Sequence, residues 1–130
     1  MAEAIESTID LPSLPVMVAV ARAHIAYVLD DTPRVHDAQL ITSELVTNAV
    51  TRGTASFTIT GRLHGYRARI EVEFRVTDDA PGVDVGEVGP GLGLVALLAD
   101  EMGDEHTDGI TTMWAELAWS HPTDTREATT

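Results

Sequence analysis

The chain has 130 residues, 44% of them hydrophobic and none of them cysteine. That suffices for one domain with its own core, and it excludes disulfides, thiolate nucleophiles and zinc–thiolate sites. The formal net charge is −13 and arginine is the only strong base, so P-loop, kinase-strand and Schiff-base lysines are absent, and nucleic acid or an anionic membrane is a poor partner.

The opening residues, MAEAIESTIDL, show neither a cationic nor an apolar leader region, and the longest apolar runs, Val16 to Ala21 and Leu92 to Ala99, are too short to cross a bilayer. A cytoplasmic protein is expected, with residues 1–119 as a single domain and 120–130 as a polar, frayed tail. Ala4 to Leu11 alternates through Ile5, Ser7, Ile9 and Leu11, which predicts an edge strand. Pro12 and Pro15 follow. Ser13 reads as an N-cap, and Met17, Ala21, Ile25 and Val28 recur at helical spacing up to Leu29. His24 lies beside that apolar face and reads as a core or boundary residue. Asp30 to Pro33 form a turn, with the next helix starting at Thr32 or Pro33 and closing at Gly53.

That second helix carries ITSELVTNAVTRG. Glu44, Asn48 and Arg52 are spaced i, i+4, i+8 and share one face, while Leu40, Ile41, Leu45, Val46, Ala49 and Val50 cover most of the rest. A carboxylate and a carboxamide on a largely buried helix need partners, which a pocket for a metal ion and phosphates would supply. A solvated polar stripe is the other reading, and spacing alone leaves both open.

Two strands follow as an antiparallel hairpin with one wet face: SFTITGRL, with Phe57, Ile59 and Leu63 on one side, and ARIEVEFRVTD, with Ile70, Val72, Phe74 and Val76. Asp78 is in phase with Val76, so it points to the apolar side at the strand's end, where a carboxylate needs a partner. A glycine-rich stretch then opens LVALLADEMG, expected to be a helix with Leu94, Val95, Leu98 and Met102 on one face and Gly103 at its end. Asp108-Gly109 turns into a last strand with Met113, Ala115 and Leu117 inward and Trp114 and Glu116 outward. GPGLGL at the helix start is either a backbone cradle for an anion or a loop allowing close helix packing. His36, His64, His106 and His121 lack metal-ligand spacing, and neither G-x-S-x-G nor HExxH occurs.

ExxxN on a helix, D-x-x-x-G after a strand and GxGLGL before a helix, in that order, resemble the GHKL ATPase superfamily. The closest likeness is to its small branch, the bacterial anti-sigma-factor serine kinases, whose N box SELVTNAV resembles. The likeness runs from about Leu11 to Leu117, from the proline-flanked first helix to the closing W-x-E-L strand. It implies an α/β (α+β) two-layer sandwich, a mostly antiparallel sheet covered on one face by helices, with ATP and Mg²⁺ between the second helix and the glycine loops.

By that resemblance Glu44 matches the general base and Asn48 the magnesium ligand. Asp78 matches the acceptor of the adenine amine, and Gly82 shapes the adenine pocket. Gly89, Gly91 and Gly93, with Leu92 and Leu94 between and after them, match the phosphate cradle. Arg52 either reaches a phosphate or caps the helix at the surface. The implied activity is a serine/threonine kinase that holds a sigma factor in one state and phosphorylates an antagonist protein in another. A homodimer is the implied assembly, with Trp114 and Trp119 as candidate contacts. The chain departs from the pattern at Ala80, where the first glycine box has glycine, in its short lid with Asp84 and Glu87, and at Thr51-Arg52. Two alternatives therefore stand beside the kinase: an interaction module with weak or lost nucleotide use, and a nucleotide-binding partner in a larger signalling system.

Overall fold

A computed structural model describes residues 4–76 and 92–120. The elements are β1 (Ala4–Pro12), α1 (Met17–Val28), α2 (Val35–Arg52), β2 (Gly53–His64), β3 (Arg67–Val76), α3 (Leu92–Leu98), β4 (Glu101–Thr107) and β5 (Ile110–Ala118). They form one five-stranded sheet in the order β1-β2-β3-β5-β4, with every neighbouring pair antiparallel. This is the two-layer architecture that the resemblance implied. None of the described helices is long and apolar enough to cross a membrane.

The strand alternation sorts the side chains by face. Phe57, Ile59, Ile70, Val72, Phe74, Met113 and Leu117 are buried beneath the helices, where they meet Ile25 and Val28 of α1 and Ile41, Leu45 and Ala49 of α2. Gly61 lies on the same inward row because α1 passes close over it. A Cβ there would sit 2.9 Å from Ile25 Cδ1 and 3.3 Å from Val28 Cγ1. His24 Nε2 donates to Ser7 O, 3.0 Å away, tying α1 to β1. It is a boundary residue, as its position beside the apolar face implied.

Among the described elements, no helix covers the other face of the sheet. A ladder of ion pairs crosses it, from Glu6 to Arg62 (3.2 Å), Arg62 to Glu71 (3.1 Å), Arg69 to Glu71 (2.7 Å) and Arg69 to Glu116 (3.0 Å). Arg69 also stacks over Trp114, 4.3 Å from the ring centroid. Burial works against the Arg69 charge, but its bonds to Glu71 and Glu116 outweigh that and raise its pKa.

Three boundaries differ from the sequence reading. The first concerns Ser13, which is not an N-cap: α1 starts at Met17, the capping position is Val16, and no side chain caps it. Ser13 instead donates its N–H to Ala55 O (2.9 Å), because β1 is still pairing with β2 there. Next, α2 starts at Val35 after Arg34, not at Thr32 or Pro33. The third difference is the largest. LVALLADEMG is not one helix: α3 stops at Leu98, and Glu101 begins the edge strand β4, with Met102 opposite Ala115. Met102 faces the core in either conformation, so the apolar pattern could not separate them. Gly103 lies within this strand beneath Trp114, where a Cβ would come 2.6 Å from Cζ2. The expected turn at Asp108-Gly109 is present, with both residues at positive φ, 55° and 80°. The expectation of a frayed tail falls on residues 121–130, outside the described residues.

Candidate functional site

The site expected from the sequence is built on one flank of α2. Its hydroxyls are already engaged: Thr42 Oγ1 donates to Ala38 O (2.7 Å), Ser43 Oγ to Gln39 O (3.1 Å) and Thr47 Oγ1 to Ser43 O (2.6 Å). Such back-bonding satisfies short polar side chains inside a helix without help from elsewhere. Asn48 and Glu44 are different. Asn48 is only 6% exposed, yet its one hydrogen bond runs from Nδ2 to Glu44 O, 2.8 Å. That bond fixes the amide orientation and leaves Oδ1 without a donor among the described residues. The half-buried Glu44 carboxylate likewise has no partner among the described residues. Two adjacent turns therefore present an acceptor oxygen and a carboxylate side by side, a donor set suited to a hard cation such as magnesium.

The flank faces α3. Asp37 lies two turns before Glu44 on the same side of α2, and it holds Arg34 Nε at 2.9 Å. Arg34 also donates from Nη2 to Leu98 O (2.7 Å), the C-terminal end of α3, and from Nη1 to Ala118 O (2.9 Å) at the end of β5. Asp100 completes the clamp, accepting the Ala118 N–H at 2.7 Å. The helix that the glycine stretch opens is thus tied at its far end to the start of the helix bearing Glu44 and Asn48. Arg34 escaped the sequence reading because it falls in what reads as the first turn of the second helix, where nothing marks it as different from a solvated charge.

Arg52 occupies the last turn of α2, half-buried, and its Nη1 is sealed from solvent without a hydrogen-bond partner. Gly53, which follows, pairs with Val76. Arg52 therefore lies beside the end of β3, from which the segment carrying Asp78 departs. Gly53 does not adopt the left-handed conformation common after a helix: its φ is −87° and ψ is 176°. Glycine is required there by space, since a Cβ would fall 2.5 Å from Ala49 O and 3.3 Å from Phe74 Cβ.

Of the cradle residues, Leu92 is buried in the core and Leu94 half-buried, while Gly93 is exposed. Nothing lies within 4 Å of a Cβ built on Gly93, so packing within the protein does not demand glycine there. Asp78, Gly82, Gly89 and Gly91 lie outside the described residues, as do Ala80, Asp84 and Glu87. One residue near the end of β3 was missed. Thr111, 1% exposed and opposite Phe74, bonds His106 Nδ1 through its hydroxyl at 2.9 Å, and His106 Nε2 is 3.1 Å from Asp104 Oδ2. Its inward parity with Met113 was the available signal.

A separate cleft of about 310 Å³ lies at the far end of the sheet's outer face, lined in part by Arg62, Arg67, Arg69, Asp100 and Glu116. Two of these arginines are already paired with Glu71, so the cleft offers little free positive charge.

No family model and no curated protein matches the chain. Among solved structures, the crystal structure of the RsbU and RsbW domains of Rv1364c from Mycobacterium tuberculosis is similar, with a TM-score of 0.70 and 24% identity. The similarity covers 91% of this chain but 33% of that one, so the chain spans about a third of its structural neighbour. The likeness shows a shared fold, an antiparallel sheet covered on one face by helices.

Proposed function

We propose that the chain binds ATP with Mg²⁺ on the Glu44–Asn48 flank of α2 and works as a serine kinase that regulates a protein partner, in the manner of an anti-sigma factor. The observation that carries this reading is Asn48: a carboxamide 6% exposed whose nitrogen is engaged and whose oxygen is not. Asn48 Oδ1 would hold the magnesium ion, which supplies charge neutralisation for a triphosphate beside an acidic chain. Glu44, one turn earlier, would accept the proton of the attacking serine hydroxyl. Gly93 has the open space through which a phosphate would approach the start of α3, and the unpartnered Arg52 nitrogen would meet the nucleotide from the β3 side. The likeness to a structure containing an RsbW domain supports a sigma factor and its antagonist as the partners.

Calorimetry with ATP tests the reading directly. Binding is expected with magnesium and is expected to vanish with EDTA. No heat at millimolar nucleotide sinks the proposal and leaves a GHKL-like interaction module in its place.

A further inference from the structure

α1 is apolar on two opposite faces. One, made by Ala21, Ile25 and Val28, is buried in the core. On the opposite side Val16, Val20, Ala23 and Tyr27 follow at i, i+4, i+7 and i+11, the spacing of a helix stripe. Val16 is 64% exposed, Val20 41% and Tyr27 81%, and Ala23 is exposed as well. Single apolar residues on a surface are ordinary, but three continuous turns of them mark an interaction surface.

Charge at the end of the stripe says what covers it. The last turn of α1 contains no basic residue, and the exposed Asp30 and Asp31 come directly after its capping residue. Among the described residues neither aspartate has an ion pair. The carbonyl end of a helix already carries partial negative charge, so two bare carboxylates there form a concentrated, uncompensated anionic end. We propose that the stripe docks an amphipathic helix of a protein partner. That helix has apolar residues at the matching spacing and arginine or lysine in its last turn, set against Asp30 and Asp31. Basic residues at a helix C-terminus also suit that helix's own dipole. A second copy of this chain fits less well, because its own stripe brings no basic side chain. An anionic membrane is opposed by the net charge of −13. The inference rests on the proposed function for the existence of a partner, and not for nucleotide binding.

The test uses the full chain and a fluorescein-labelled helical peptide with leucines at that spacing and arginines in its last turn. A twin peptide carries glutamates in place of the arginines. Without nucleotide, the arginine peptide is expected to bind at least about tenfold more tightly than the twin, and Val20→Asp or Tyr27→Asp to weaken it by at least about tenfold. Both positions are exposed, so unchanged thermal melts are expected. Asp30→Asn with Asp31→Asn is expected to remove the preference for arginine and keep the residual apolar binding. Equal binding of the twins, no binding at all, or full binding to Tyr27→Asp overturns the proposal. A dimer in ultracentrifugation that Tyr27→Asp dissociates also overturns it, assigning the stripe to a second copy. Titrating Mg²⁺-ATP into the same variants reads nucleotide binding separately, so failure of one reading does not pass for failure of the other.

Discussion

At the scale of single residues, Asn48 and Glu44 can be separated by experiment because they do different things to the same ligand. Asn48→Ala removes the free acceptor oxygen and the Nδ2 bond to Glu44 O. The lost hydrogen bond costs only about 1 kcal/mol of stability, so the fold is expected to survive. Magnesium-dependent ATP binding, read by calorimetry, is expected to disappear. Glu44→Gln keeps shape and removes basicity. It is expected to bind ATP as the natural chain does while phosphoryl transfer or residual hydrolysis falls roughly 10²–10⁴-fold. Equal turnover by both proteins removes Glu44 from the role of base. A third residue, Asp78, would set the choice of nucleobase in the proposed function. As acceptor of an adenine amine it would meet a carbonyl when guanine is offered, and an unpaired buried carboxylate costs on the order of a few kcal/mol. ATP is therefore expected to bind far better than GTP, and Asp78→Asn to lose ATP while still melting cooperatively. Equal affinity for the two nucleotides contradicts that role.

At the scale of elements, the clamp at Arg34 decides how α3 sits. Its guanidinium satisfies the Leu98 and Ala118 carbonyls and pairs with Asp37 and Asp100. These partners come from one end each of α2, α3 and β5, and α3, with seven residues, is too short to hold its place by helix propensity. Arg34→Ala is expected to cost about 2–3 kcal/mol, since two carbonyls lose charged donors. Urea denaturation reads this, with hydrogen exchange rising first in α3. A loss below about 0.5 kcal/mol would show that water replaces the guanidinium at no cost. β4 depends on a different device. Gly103→Ala drives a Cβ to 2.6 Å from the Trp114 ring, which also carries Arg69. Overpacking of this kind costs about 1–3 kcal/mol, and displacement of the indole is expected to change tryptophan fluorescence in the folded state.

At the scale of the whole molecule, the net charge of −13 sets the response to ions. Like charges oppose a compact state, so the melting temperature is expected to rise as sodium chloride screens them. Bound nucleotide adds to this by mass action: at a hundred times its dissociation constant a ligand contributes about 2.7 kcal/mol. Melting with ATP is therefore expected to rise with magnesium present and to return to the salt-only value with EDTA. The sequence alone was enough for β1, β2, β3, β5 and the two long helices, because alternation and helical spacing are local properties that burial on one face imposes. It also sufficed to put Glu44 and Asn48 on one face of α2, since one helical turn separates them. Three features needed the tertiary structure. β4 was hidden because Met102 faces the core as helix or strand, and only its pairing with Ala115 decides. Gly53, read only as the glycine that closes the helix, is extended and leaves no room for a Cβ against Ala49 O and Phe74 of β3. Arg34 acquires its role from carbonyls 64 and 84 residues away. Periodicity records which side of an element is buried; which distant backbone group meets a given side chain is settled only when the layers pack.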